Sequence, residues 1–422
     1  MIGKVFGFLR YVLLLRLYGT DSAVDIIIFL ISLVWFWSNT VVSSLFSIRL
    51  VPLLSTSQSE LERGVALLKI FSGINAISIL VALVILISPQ SIVNAFSGSD
   101  DAVFLAEATA GLWLLIPLLI LVPLTEVVTL YNQWRGSFKV VASNLVVWNF
   151  TQLIGLLYLS ATHDPAHLDT FIFSFLVFLI LGYLATSVIQ LYFSRIASVE
   201  FSSMFFSFSV TNFLGLVRGN FKLVLGVLFL QLGIYIDNFF LLSLEAGSLS
   251  TYTGLARLCD IFQSLVGAAL GAVVLNRVSL PEVIEIGWWY KIWTLWALSG
   301  VVFVIFCYFF GAEFVALIFG GEFQVMLEDG SSRVTLLVLS FSAWLFVGVL
   351  LLTKIFIARD KGNGLIIASV LGVCIKVFLT ASWYAELGLM GVASASVISI
   401  ASVFCCLVLL LGVQRGGGWR SV

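Results

Sequence analysis

The sequence predicts an all-α polytopic membrane protein. Of its 422 residues, 61% are hydrophobic and only 10% are charged, whereas a soluble globular chain carries about 25% charged residues. The mean hydropathy is +1.15. A soluble fold of this size needs a charged surface that this chain cannot supply, so the composition excludes a soluble domain, a disordered chain and a nucleic-acid-binding protein. The net charge of -1 indicates no particular charged partner.

Chain length and hydropathy together set the number of spans. A spanning helix needs about 20 residues and a short loop adds about 10, so the chain has room for about a dozen spans and no sizeable soluble domain. The apolar segments are 2–18, 24–48, 65–88, 104–130, 140–160, 170–193, 221–244, 252–276, 289–311, 334–357, 364–385 and 388–413. We therefore predict twelve transmembrane helices.

The first segment requires a decision between a span and a signal peptide. Arg10 and Arg16 interrupt its apolar run, and no clear cleavage site follows, so we interpret it as a spanning helix. All five cysteines lie in apolar runs. They are expected to be small buried hydrophobic residues, neither disulfide-bonded nor metal ligands.

Basic residues predict the orientation of the spans. With a cytoplasmic N-terminus, the alternate loops on the cytoplasmic side hold nearly all the Lys and Arg residues, and the opposite loops hold Arg333 alone, among acidic residues. This asymmetry follows the positive-inside rule. It predicts an even number of spans, with both termini in the cytoplasm.

A basic stretch at the middle of the chain predicts the domain organisation. Residues 194–220 combine basic residues with phenylalanines and serines, which is typical of a cytoplasmic or interfacial linker. The expected domains are a six-helix bundle at 1–193, this linker at 194–220, and a second six-helix bundle with a short tail at 221–422. The halves echo each other weakly, for example at 92–98 and 315–321, which we predict to be outside loops after spans three and nine. Six spans per half predict a parallel repeat whose bundles rock around a central cavity.

Ionisable residues at membrane depth identify the candidate site. Each costs a few kcal/mol, so it tends to face a cavity or a partner. Basic side chains suit a phosphate or diphosphate, because guanidinium donates a bidentate fork. The candidate substrate-binding residues are Lys4, Arg10, Arg257 and Lys376. The candidate ion-coupling residues are Asp237, Asp260 and Glu126.

A simpler alternative is that these charges only pair with one another. Arg257 and Asp260 are three residues apart, on one face of a helix, and Lys376 is a candidate partner for Asp237. Both interpretations hold if a pair opens when substrate binds. No catalytic constellation and no metal-binding cluster are apparent, so neither an enzyme nor a cofactor is expected.

The opening of the chain resembles a known family. Gly3-Lys4-Val5-Phe6-Gly7-Phe8-Leu9-Arg10, followed by Arg16-Leu17-Tyr18-Gly19 and Asp25, is similar to the start of MviN/MurJ-type lipid II flippases. Ala256-Arg257-Leu258 with Leu265–Gly271, and Leu387–Ala393, resemble later segments of the same family. This family belongs to the multidrug/oligosaccharidyl-lipid/polysaccharide exporter superfamily.

The resemblance implies a transporter that flips a lipid-linked glycan across the bacterial inner membrane by alternating access. The family's basic cavity residues match Lys4, Arg10 and Arg257. Its acidic partners are replaced by Tyr11 and Ala256, and a basic pair is replaced by Ser38-Asn39. Fewer spans are counted than the family usually has.

Three functions follow from these observations. The first is a flippase for a polyprenyl-diphosphate-linked saccharide, with that lipid-linked glycan and membrane lipids as partners and protons or sodium as coupling ions. The second is a cation-coupled drug exporter, which would favour a net acidic cavity. The third is a non-transporting membrane scaffold, for which the replaced charges argue. A membrane glycosyltransferase would need a larger outside loop than the chain has.

Overall fold

The computed structural model describes residues 2–37, 60–134, 137–162, 168–194, 209–278, 286–320, 323, 330–358 and 361–413. The described residues are almost entirely helical and contain no β-strand. Along the chain the helices are α1 (Ile2–Tyr18), α2 (Ser22–Trp35), α3 (Glu60–Ile87), α4 (Pro89–Ser97), α5 (Ala102–Leu114), α6 (Leu118–Trp134), α7 (Phe138–Thr162), α8 (Leu168–Ser194), α9 (Val210–Leu242), α10 (Ser248–Phe262), α11 (Ala268–Val278), α12 (Ile286–Phe319), α13 (Ser331–Ala358) and α14 (Gly362–Val413).

Six of these helices are long and apolar enough to cross a membrane, or up to eight if each of two bent pairs counts as one span. The bent pairs are α3 with α4, at 94°, and α5 with α6, at 50°. Every predicted segment is helical over its described part except at Ser88, at the turn 115–117 and at residues 243–244. The prediction of an all-α polytopic membrane protein is confirmed.

α14 contains the last two predicted spans. Gly388 interrupts it with φ 53° and ψ -131°, outside the helical region, a backbone conformation that glycine adopts without steric cost. The Ser399 hydroxyl donates to the Gly372 carbonyl at 2.8 Å, and a side chain at Gly364 would meet Leu410. Residue numbers therefore fall along one arm as they rise along the other, so the arms are antiparallel around Gly388.

The chain divides into two compact units, Met1–Val224 and Leu225–Val422. In the first unit, α1 runs parallel to α7. A Cβ on Gly3 would lie 2.6 Å from the Leu145 Cβ, and further along the same pair of helices Arg10 bonds to Gln152. Glycine at position 3 thus permits a close approach of the two helices that a larger side chain would prevent.

α8 lies antiparallel to α7. Near the start of α7, the Val140 carbonyl accepts a 2.6 Å hydrogen bond from the Gln190 amide of α8. Later in α7, Trp148 packs on Tyr183, which comes earlier in α8, with ring centroids 5.3 Å apart. α6 runs parallel to α8: Thr125 bonds to Ser187 at 2.6 Å and, further along both helices, the Asn132 amide donates to Gln190 Oε1 at 2.9 Å.

The second unit has the same kind of pairing. Its first helix, α9, runs parallel to the first arm of α14: Gly226 faces Leu365, and further along Asp237 bonds to Lys376. α12 and α13 are antiparallel, since Gly300 faces Trp344 and Gly311 faces Leu336. Within each unit, two odd-numbered predicted spans therefore run parallel to each other, the first with the fifth and the seventh with the eleventh, as consecutive crossings of a membrane require.

Several helix ends differ from the sequence prediction. The segments 92–98 and 315–321 were expected to be outside loops, but α4 ends at Ser97 and α12 continues to Phe319. Both helices are followed by a glycine with positive φ, Gly98 at 58° and Gly320 at 99°, which is a common helix-terminating conformation. The helical backbone continues through both segments up to these glycines, past the ends of the predicted spans.

The predicted linker 194–220 also differs in part. α9 begins at Val210, because no proline separates 210–220 from the apolar run that follows. Residues 195–208 lie outside the described residues, as do the polar replacements at Ser38 and Asn39. Cys259 and Cys307 are buried as expected, but Cys374 and Cys405 are exposed, on outward helix faces where a membrane protein contacts lipid.

Candidate functional site

Arg10 is buried inside the first unit, on α1. It is 3% exposed. Its NH1 group donates a 2.6 Å hydrogen bond to Gln152 Oε1 on α7, and its guanidinium carbon lies 5.1 Å from the centroid of the Trp148 ring. A second ring, Tyr11, lies 5.7 Å from the same carbon. The guanidinium is therefore held by an amide and by aromatic faces, which attract cations.

The structure describes less of Lys4. It lies in the first turn of α1, but its side chain is not among the described ones. Its predicted role stays a prediction.

Arg257 and Asp260 lie on α10. Arg257 NH1 donates to Asp260 Oδ2 at 2.8 Å, one helical turn apart. The side chains are 19% and 48% exposed respectively. The bond is the intrahelical pair that the three-residue spacing offered as an alternative. It is partly exposed, so the guanidinium remains accessible from outside the unit.

Lys376 and Asp237 form a buried ion pair in the second unit. Lys376 Nζ donates to Asp237 Oδ2 at 2.7 Å, and both side chains are about nine-tenths buried. The Ser396 hydroxyl adds contacts of 3.3 Å to both carboxylate oxygens. The network joins α9 and both arms of α14. It is the second pair that the sequence offered as an alternative to substrate binding by Lys376.

Glu126 lies on α6, close to the Arg10 region. Glu126 and Arg10 both interact electrostatically with the Tyr183 hydroxyl on α8, and no ion pair of Glu126 is formed within the described part of the chain. Pro123, one turn before it, has no N–H and leaves the Leu119 carbonyl without its helical donor. The Trp37 indole N–H approaches that carbonyl at 3.4 Å.

The structure thus groups the predicted residues by unit. Arg10 and Glu126 share a polar interior in the first unit, and Lys376, Asp237 and the Arg257–Asp260 pair belong to the second. Sequence reasoning missed Trp148 and Gln152, the two described contacts of Arg10 on α7. A glutamine inside an apolar span was the available signal, because a polar amide at that depth needs a partner. In the described residues no group of His, Cys, Asp and Glu could hold a metal ion.

Solved structures resemble this chain in fold. A lipid II flippase MurJ in its inward closed conformation matches with a TM-score of 0.75 and 15% identity, over 97% of this chain and 86% of that one. An inward-facing MATE-family multidrug resistance transporter matches with a TM-score of 0.75 and 13% identity, over 99% and 96%. A MATE multidrug transporter, DinF-BH, matches with a TM-score of 0.68 and 11% identity, over 98% and 93%.

These structural similarities show the fold and do not separate the two kinds of transporter, since the first two TM-scores are equal. No curated protein sequence matches the chain significantly. The family comparison does separate them: the profile described as lipid II flippase MurJ matches residues 15–420, nearly the whole chain. The chain belongs to the MurJ lipid II flippase family.

Proposed function

We propose that this protein flips a polyprenyl-diphosphate-linked saccharide across the bacterial inner membrane by alternating access. The observation that carries the proposal is the match to the flippase family over residues 15–420. A multi-pass transporter with lipid-linked cargo contacts membrane lipids throughout its cycle. In this proposal the chain forms a six-helix bundle at 1–193, a linker at 194–220 and a second six-helix bundle with a short tail at 221–422, with both termini in the cytoplasm.

The basic residues are proposed to bind the head group. Lys4 and Arg10 in the first unit and Arg257 in the second each contact substrate phosphate. The partial exposure of Arg257 supports this role, because its guanidinium remains reachable while it pairs with Asp260. Lys376 takes part only when its pair with Asp237 opens.

Single substitutions test these roles. Losing one charge-assisted contact costs about 1.5–3 kcal/mol, so Arg10→Ala and Arg257→Ala should each reduce transport in proteoliposomes by about tenfold or more. Arg333→Ala is a matched control, because Arg333 is half exposed and only 3.6 Å from Glu313 in a loose surface pair. It should transport normally. Wild-type transport by both Arg10→Ala and Arg257→Ala, at equal protein abundance, would refute the assignment.

The deep carboxylates are proposed to couple transport to an ion gradient. At least one of Asp237, Asp260 and Glu126 changes its proton or cation occupancy as the units exchange access. Glu126 is supported by the absence of an ion pair to it within the described residues. The opposing possibility for Asp237 is static pairing, which its bonds to Lys376 and Ser396 favour.

Transport under imposed proton, sodium and voltage gradients distinguishes these possibilities. Each carboxylate is replaced by its amide, as Asp237→Asn, Asp260→Asn and Glu126→Gln. When a coupling residue is replaced, transport by the variant should lose the wild-type dependence on the imposed gradient. If all three variants keep that dependence, none of the carboxylates couples transport to an ion.

A cation-coupled drug exporter is the second candidate, and the TM-score of 0.75 to a MATE transporter favours it. Expression in a drug-hypersensitive strain separates the two: an exporter lowers cellular accumulation of a cationic dye, whereas a flippase does not. A scaffold that does not transport, for which the replacements Tyr11 and Ala256 argue, would neither lower dye accumulation nor flip the lipid-linked substrate in proteoliposomes.

The topology is tested independently. A single cysteine at position 164 should react with a membrane-impermeant reagent from the periplasmic side. Reaction only after the membrane is permeabilised would show that the orientation is the opposite of the predicted one.

A further inference from the structure

The surroundings of Arg10 contain two side chains whose roles the family match does not assign. Gln152 is completely buried and accepts the 2.6 Å bond from Arg10 with its Oε1. Its Nε2 donates to the Trp148 carbonyl at 3.3 Å. Both ends of the amide are engaged, so Gln152 fixes the direction of one arm of the guanidinium.

Trp148 supports the guanidinium from its ring face. The indole is only 7% exposed, and its ring packs against Tyr183 at 5.3 Å and Trp35 at 6.1 Å. These contacts hold the ring in place on several sides. The Arg10 guanidinium carbon, 5.1 Å from the ring centroid, is therefore stacked on an indole whose rotation is restricted by its packing contacts.

The indole N–H of Trp148 is the unexplained feature of this cluster. Its Nε1 atom is buried and has no hydrogen-bond partner among the described residues. A buried donor without an acceptor is unfavourable, and native structures keep few of them. An orphan donor beside a buried guanidinium is an arrangement that an anionic oxygen would complete.

We propose that Trp148 is a substrate-binding residue whose N–H donates to a phosphate oxygen of the head group held by Arg10, and that Gln152 is the positioning residue for Arg10. The inference rests on the proposed function, since the anion is the diphosphate of the lipid-linked substrate. The three residues form one anion-binding cluster on α1 and α7, which we call the Arg10 cluster.

The second unit provides an internal control. Trp344 on α13 also has a buried Nε1 atom without a described partner, and its ring packs on Trp296 at 5.3 Å. None of the described cations stacks on Trp344. The proposal therefore assigns no anion to the Trp344 N–H group, and removing that group should not affect substrate binding.

The test measures binding of a short-chain polyprenyl diphosphate to the purified full-length protein in detergent. W148F removes the N–H and keeps an aromatic ring, and benzothienylalanine at position 148 keeps the bicyclic shape with sulfur in place of the N–H. Both should weaken binding by about tenfold or more, the loss expected for one hydrogen bond to a charged group. W344F should bind as the wild type does. The benzothienylalanine variant decides the question if W148F does not fold.

Gln152 is tested by its effect on Arg10. Q152L removes the acceptor, and Q152N keeps a neutral amide acceptor on a side chain one methylene shorter. Q152L should raise the KM for transport while leaving kcat near wild type, and Q152N should recover part of the increase in KM. A residue with a purely structural role would instead lower thermal stability without this selective change and rescue.

The outcomes separate the inference from the function on which it rests. If the wild-type protein does not bind the polyprenyl diphosphate, the proposed function fails. If it binds, and both position-148 variants bind equally well, the role of Trp148 is refuted. If Q152L and wild type have the same KM, the role of Gln152 is refuted.

Discussion

The two units each bury a basic side chain between their first helix and the helix that runs parallel to it, but they satisfy it differently. In the first unit Arg10 bonds to the Gln152 amide and stacks on Trp148. In the second, Lys376 bonds to the Asp237 carboxylate, which also accepts from Ser396. Removing one partner of a buried ion pair leaves the other charge buried alone, whereas the Gln152 amide and the Trp148 ring hold the Arg10 guanidinium without an opposite charge of their own. We therefore expect a larger loss of stability from breaking the second pair than from removing the Gln152 acceptor.

The largest expected effect tests the ion pair. Asp237→Leu leaves the Lys376 ammonium buried without its carboxylate, and breaking a buried pair in this way costs about 3–5 kcal/mol. The measurement is unfolding of the purified protein in detergent. The double variant Asp237→Leu with Lys376→Met should recover most of the loss, because an apolar pair leaves no buried charge. An equal loss in both variants would contradict the explanation.

The corresponding change in the first unit should be smaller. Gln152→Leu removes a neutral acceptor from Arg10, which costs about 1–3 kcal/mol for a buried bond to a charged group. Under the same unfolding conditions it should fall between wild type and Asp237→Leu. A loss as large as that of Asp237→Leu would remove the distinction between the two units.

The partly exposed pair on α10 sharpens the comparison. Asp260 is about half exposed, so water screens its attraction to Arg257. Asp260→Asn should change the free energy of unfolding by only about 0.2–1 kcal/mol. A loss near that of Asp237→Leu would show that this pair is also a structural element.

The smallest effect concerns neutral bonds between helices of the first unit. The Thr125–Ser187 bond joins α6 and α8 at 2.6 Å. Interhelical hydrogen bonds of this kind contribute about 0.6 kcal/mol on average in membrane proteins, so Ser187→Ala should unfold almost as wild type does. A loss above that of Gln152→Leu would contradict the ranking.

Much of the fold could be predicted from the sequence, because a spanning helix satisfies its own backbone hydrogen bonds and leaves a long apolar run. The family that the resemblance indicated is confirmed by the match over residues 15–420, which includes the later resembling segments and begins after the Gly3–Arg10 stretch. Helix ends were less predictable. α12 has 34 residues, about 51 Å at 1.5 Å per residue, which exceeds the apolar thickness of a bilayer of about 30 Å. Hydropathy therefore could not locate its last turns.

The candidate site was only partly predictable. The Arg257–Asp260 bond follows from a spacing of three residues within one helix. The partners of Arg10 lie 142 residues away at Gln152, and those of Lys376 lie 139 residues away at Asp237. Sequence could identify Asp237 as a candidate by its charge, but it gave no sign that Trp148 would stack on a guanidinium, because tryptophans are common in apolar spans.

The sequence by itself determined that the protein is an all-α membrane protein, since this follows from composition and from the length of the apolar runs, and the resemblance of its motifs indicated the family. It also determined which ionisable residues lie within the apolar runs, because that position is a local property. Only the tertiary structure decided which deep charge has which partner. That choice depends on how helices far apart in sequence approach one another, as at Gly3 and Leu145, and small residues and helix direction set that approach.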